Sequence, residues 1–214
     1  MKNEALHPKR EFESVRALVE WTAEFYGEKL AYSFRPKANK PEIVTKSFIE
    51  LRDDVRALAS EFLAMGCAGK HCALIGKFSY DWVLTYFAIL SIGGILVPLD
   101  REWSGEDLAA TAERAEISFL FCDEDIADKA TVIVEKIALE TAPIYLLAKE
   151  NEKNIAALLE TGKETYAKNP DAYHNAEIDT VGMALLVFTS GTTGKGKGVM
   201  ISQTNVLSDL SDVI

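Results

Sequence analysis

The stretch CALIGKFSYDWVLTYFAILSIGGILVPLD, residues 72–100, decides the fold. It opens on a short apolar run over 72–76, closes on a second run over 95–98, and places a helical pattern over 79–92 between them. From Trp82 to Leu99 there are 18 residues without a charge, which touches the lower length of a membrane span. Gly93-Gly94 ends a helix, however, and Pro98 interrupts the apolar run beyond it, so the stretch divides into a buried helix and a short buried strand. No transmembrane segment is expected. Strand, helix and strand at this spacing mean a right-handed crossover and a parallel sheet covered on both faces.

Outward from this unit the pattern repeats. Ser104 caps a helix over 105–115, ISFLFC (117–122) is a strand, 125–138 a helix and PIYLL (143–147) a strand. Upstream, Ser14 caps a helix from Val15 to Tyr26 that stops at Gly27, and LAYSF (30–34) and the residues around Ile43 are short strands. Ser47 and Glu50 form a capping box opening a helix that ends at Gly66. The polar region 149–179 carries one helix, over about 152–166, and then a loop, and MALLVF (183–188) is a further strand. The expected class is α/β, a parallel sheet flanked by helices on both faces. Residues 1–50 are expected to form an N-terminal helix and short strands packing on a neighbouring subdomain. Residues 51–214 are expected to form the α/β subdomain.

Composition narrows the function. Of 214 residues 48% are apolar and 26% charged, the range of a soluble globular chain. A net charge of −10 argues against a nucleic-acid surface, which needs a basic patch. Cys67, Cys72 and Cys122 form no CxxC pair and read as reduced thiols packed in a cytoplasmic protein. His7, His71 and His174 lack ligand spacing. The first residues have no apolar core of a signal peptide.

The last strand delivers the chain into TSGTTGKGKGVMIS, residues 189–202. Its first ten positions hold four glycines, four hydroxyl residues and two lysines. Glycine lets backbone N–H groups converge on a phosphate, the hydroxyls add donors, and the lysines add charge. A surface hairpin has no reason to gather two lysines in so acidic a chain. The spacing from Gly191 to Gly196-Lys197 imitates a Walker A loop, but Gly198 stands where that loop needs Ser or Thr for Mg²⁺. The lysine leads into GVMIS, a strand pattern and not the helix a Walker lysine opens.

LLVFTSGTTGKGKGVMISQTN resembles the signature of the AMP-forming adenylating enzymes, which include acyl- and aryl-CoA synthetases and peptide-synthetase adenylation domains. Thr189 to Gly194 match the pattern and the match resumes at Lys197, Gly198 and Val199. SFIELRDDVRALASEFLAMG, YDWVLTYFAILSIGGILVPLD and ISFLFCDED resemble the family's earlier segments, so nearly the whole chain aligns in order. Two departures stand out: the usual proline before the lysine is Gly196, and the histidine after the loop is Gln203. The resemblance implies an N-terminal part of the large domain of an adenylating enzyme. It also implies a reaction of carboxylate and ATP to acyl-AMP and pyrophosphate, followed by thioester formation with coenzyme A. By the same resemblance Thr189, Ser190, Gly191, Thr192, Thr193, Gly194, Lys195 and Lys197 cradle the ATP phosphates. Thr189 also contributes to a Mg²⁺ site, Lys197 stabilises charge in catalysis, and Gln203 borders the acyl pocket. The segments for adenine, ribose and CoA lie outside this chain, so the expectation is an N-terminal fragment of an acid–CoA ligase, inactive alone and prone to self-association. A non-catalytic phosphate-binding module, or an adenylation domain for aryl or amino acids, is the alternative.

Overall fold

The computed structural model describes residues 10–35, 41–146, 153–189 and 196–213. Helix α1 (Val15–Tyr26) starts where the Ser14 side chain accepts a hydrogen bond from the Ala17 N–H, and it stops at Gly27 with φ +58°. Strands β1 (Leu30–Phe34) and β2 (Val44–Ser47) form a separate antiparallel pair. The capping box then opens α2 (Phe48–Ala64): Ser47 Oγ accepts from the Glu50 N–H, and the Glu50 carboxylate accepts from the Ser47 N–H. Gly66, with φ +83°, carries the chain out of that helix.

From here strands and helices alternate as β3 (His71–Ile75), α3 (Tyr80–Ser91), β4 (Ile95–Pro98), α4 (Gly105–Arg114) and β5 (Phe119–Cys122). They continue as α5 (Ala127–Ile137), β6 (Ile144–Tyr145), α6 (Ile155–Lys168), α7 (Pro170–His174), β7 (Leu185–Thr189), β8 (Lys197–Ile201) and α8 (Gln203–Val213). Among the described residues the main sheet has six strands in the order β6-β5-β3-β4-β7-β8. All neighbours are parallel except β7 and β8, which form an antiparallel ribbon at one edge.

Side-chain alternation along β3 shows how both faces are covered. Cys72 and Leu74 pack with Leu58 and Phe62 of α2, Leu84 and Ile89 of α3, and Ile155 of α6. Ala73 and Ile75 pack with Leu108 and Ala112 of α4 and Ala130 and Ile133 of α5. Topology enforces this split. From β3 the chain moves one way across the sheet to β4, then reverses past β3 to β5 and β6, and right-handed crossovers put helices of opposite travel on opposite faces. Each fully buried leucine or phenylalanine on these faces contributes about 1.5–3 kcal/mol.

The polar region differs from the sequence expectation. Residues 170–174 form a helix and not a loop, because the Asn169 side chain accepts from the Ala172 N–H and Pro170 occupies the first turn. The preceding helix starts later, at Ile155, where the Asn154 side chain accepts from the Ala157 N–H. Helix α2 runs across the 50/51 boundary, and Val15 and Val19 of α1 lie in the same core as α2 and α3. All three cysteines are buried. Among the described residues no helix is long and apolar enough to cross a membrane.

Candidate active site

Parallel sheets offer a crevice at the carboxyl ends of their strands, where adjacent strands send helices to opposite faces. Here that point lies at β3, flanked by β5 and β4. Three loops are cross-tied there. After β5, Asp123 Oδ2 accepts from the Lys77 N–H after β3 at 2.7 Å and from Arg101 Nη1 after β4 at 2.7 Å. Asp125 Oδ2 takes Lys77 Nζ at 2.7 Å and Arg101 Nη2 at 3.0 Å. Asp123 Oδ1 is buried without a hydrogen-bond partner. It lies against Gly76, where a Cβ would stand 2.9 Å from it. Burial pushes the Asp123 carboxyl up despite its two donors, whereas the Lys77 and Arg101 hydrogen bonds hold Asp125 down. A second charged group, at the start of α3, joins Asp54 to Lys46 Nζ at 2.6 Å and to the Tyr80 hydroxyl at 2.7 Å. Beside it, burial and the Asp54 charge raise Asp81 to about 6.

The glycine-rich connection leaves from the carboxyl end of β7. Thr189 and Lys197 are paired Cα partners across the β7–β8 ribbon, and both are exposed. Strand alternation puts them on the face of Val187 and Ile201, the side covered by α1, α2 and α3. Ser190, Gly191, Thr192, Thr193, Gly194 and Lys195 lie outside the described residues. Lys197 opens a strand, so the geometry eliminates a Walker loop. The two glycines around Lys197 have distinct reasons. A Cβ at Gly196 would stand 2.7 Å from the Thr189 carbonyl oxygen, and one at Gly198 would stand 3.0 Å from Leu186 and 3.4 Å from the Phe188 ring. The closure at Gly196 leaves no room for the proline of the related pattern. At this crowded exit a lysine and a threonine, both exposed, face each other across the ribbon. For Mg²⁺ the described part of the cradle offers the single Thr189 hydroxyl. Among the described residues no group of three or more His, Cys, Asp or Glu is placed to hold a metal. A hard cation there would therefore take most of its oxygens from phosphate and water.

Gln203, expected at the border of the acyl pocket, is a buried polar residue. It is 1% exposed, and its amide is committed to backbone groups. Oε1 accepts from the Val15 N–H at 2.9 Å, and Nε2 donates to the Leu90 carbonyl at 2.8 Å. The side chain thus lies in the core between the start of α1 and the end of α3. Sequence reasoning also missed Lys77, Arg101, Asp123 and Asp125. Their signal was available: each charged position falls within three residues of the end of a parallel strand.

The profile of one family, described as AMP-binding enzyme, matches residues 19–214. The long-chain-fatty-acid–CoA ligase FadD15 of Mycobacterium bovis is 27% identical over 164 residues, covering 75% of this chain and 27% of that protein. A polyketide synthase–nonribosomal peptide synthetase hybrid of Aspergillus japonicus is 29% identical over 163 residues, covering 76% of this chain and 4% of that protein. The chain thus spans only a minor part of the curated relatives' lengths. Among solved structures, a long-chain-fatty-acid–CoA ligase (FadD1) from Archaeoglobus fulgidus superposes with a TM-score of 0.79 at 21% identity, over 98% of this chain and 40% of that one. The ribbon with its glycine-crowded exit, the doubly covered sheet and the profile match over most of the length agree: this chain belongs to the AMP-binding enzyme family.

Proposed function

We propose that the chain carries the ATP-phosphate cradle of an acid–CoA ligase and is inactive on its own. In the parent reaction a carboxylate oxygen attacks the α-phosphorus of ATP, the bond to the bridging oxygen breaks, and pyrophosphate leaves. A thiol, coenzyme A, then displaces AMP from the acyl adenylate. The carrying observation is the pairing of Thr189 with Lys197 at the carboxyl end of β7. That placement suits a cation and a hydroxyl aimed where charge accumulates on the departing pyrophosphate, with Mg²⁺ sharing the load. A fatty acid is the favoured carboxylate, consistent with the ligase relatives. The likeness to a hybrid peptide synthetase favours an amino acid as the second reading.

The test is ATP binding by calorimetry, comparing the full chain with Lys197→Ala, together with pyrophosphate exchange over a panel of fatty and amino acids. Wild type is expected to bind ATP, and the variant to bind about tenfold more weakly, since a charge-assisted contact to phosphate is lost. Equal affinities would remove Lys197 from the cradle. Measurable exchange by the chain alone would overturn its inactivity, and the acid supporting it would decide between the two substrate readings.

A further inference from the structure

We infer that Arg114, at the last turn of α4, is a positioning residue of the cradle: it holds the loop's exit so that Lys197 is presented beside Thr189. The inference rests on the phosphate-binding reading above. Arg114 Nη2 donates to the Gly196 carbonyl oxygen at 3.0 Å, across 82 positions of sequence. Its guanidinium also lies over the Phe188 ring, with Cζ 5.5 Å from the centroid. Phe188 is the Cα partner of Gly198, and its ring lies over that glycine, 3.4 Å from where a Cβ would stand. Arginine, aromatic ring and glycine therefore stack through the ribbon on the face opposite Thr189 and Lys197, and this stack brackets Lys197 from both sequence neighbours.

The chemistry of position 196 explains why such a clamp is needed. Glycine frees the backbone that a proline would restrain, yet the close approach to the Thr189 oxygen admits nothing larger. A restraint from outside the loop does the work that a ring inside it cannot. Arginine suits this task because a planar guanidinium can stack on a ring and donate to a carbonyl at once, whereas an ammonium cannot hold both geometries. On stability alone the arrangement counts for little, because Arg114 is exposed and water competes for both of its contacts. Its effect is expected in ligand affinity.

Inorganic pyrophosphate is titrated by calorimetry at fixed ionic strength into wild type, Arg114→Ala, Arg114→Lys, Gly196→Ala and the Arg114→Ala/Gly196→Ala double variant, with thermal unfolding of each. Arg114→Ala should weaken binding about three- to tenfold, the scale of one ordinary hydrogen bond, with a melting temperature near wild type. Arg114→Lys should bind as weakly as the alanine variant, because the positive charge is kept and the fork is lost. Gly196→Ala should weaken binding as well, and the double variant should be no weaker than Gly196→Ala alone, since the clamp then has nothing to hold. Full rescue by lysine would make Arg114 a source of long-range attraction and overturn the positioning role, as would additive losses. Wild-type binding with an unaffected Arg114→Ala would overturn this inference alone. A flat wild-type titration would overturn the phosphate-binding reading and this inference with it.

Discussion

Gln203→Leu separates a structural tether from a pocket wall. The substitution keeps most of the volume and removes both hydrogen-bonding ends of a side chain that is 1% exposed. Its two partners do not suffer equally. The Val15 N–H lies in the first turn of α1, where the helix supplies no acceptor of its own. The Leu90 carbonyl keeps a second donor, the Gly93 N–H at 3.3 Å. Leaving the N–H buried and unpaired costs about 1–3 kcal/mol, and losing one of two donors at the carbonyl adds about 0.5–1 kcal/mol. The sum, about 1.5–4 kcal/mol, is a large part of the ~5–15 kcal/mol that holds a domain folded. For a chain of this size it lowers the melting temperature by roughly 3–16 °C. Urea unfolding followed by circular dichroism should show a lower midpoint with an unchanged slope. A loss under about 0.5 kcal/mol, the level of an ordinary surface substitution, would refute the reasoning. Gln203→His adds a second arm. A neutral imidazole can accept at one nitrogen and donate at the other, so stability should partly return at high pH and fall again as protonation removes the acceptor.

Two more outcomes are expected from the packing. In α6 a Cβ at Gly162 would stand 2.2 Å from the Ala57 carbonyl oxygen of α2, so Gly162→Ala should destabilise by about 1–3 kcal/mol despite alanine's better helix propensity. A neutral or stabilising result in chemical denaturation would mean that the two helices can separate freely. Asp81 is raised to about 6 by burial and by Asp54, with Lys46 opposing and Asp123 adding to the rise. Its unfolded value is about 3.9, so the native chain holds the extra proton between the two values. Stability therefore falls as pH rises through that window and levels off above it. Asp81→Asn should abolish that fall and gain about 1–2 kcal/mol at neutral pH, after the loss of a favourable helix-dipole contact worth about 0.3–1 kcal/mol. Unchanged pH dependence of the unfolding midpoint would exclude Asp81 as its source.

What could be read in advance was local. Ser14, Ser47 and Ser104 announced their helices because a hydroxyl before an apolar periodicity has one structural use, and each accepts the expected N–H. Gly198 and the apolar run behind it separated a strand-flanked cradle from a Walker loop by residue type alone. Contacts between distant segments were not legible. Nothing in FLFCDED says that the first of its two aspartates will meet Lys77 and Arg101, because that depends on the strand order β5-β3-β4. The burial of Gln203 was equally hidden, because its partner is the start of α1, 188 residues earlier. The helix at Pro170 was hidden by polar composition, although Asn-Pro-Asp is a start signal in its own right.

The seam between β4 and β7 is narrow. Leu96 and Leu185 are the one Cα pair in register there, supported by the Leu96 N–H to the Ala184 carbonyl at 2.8 Å, whereas β7 and β8 pair along five positions. The ribbon that carries Thr189 and Lys197 is thus better bonded to itself than to the sheet that supports it. Releasing the ribbon and α8 breaks that seam, the Gln203 tether and the Arg114 contact, and it also withdraws Leu185 and Leu207 from the core beneath α1, α2 and α3. The ribbon is therefore joined to the sheet less by backbone pairing than by side-chain packing, so its anchorage rests on apolar burial at Leu185 and Leu207.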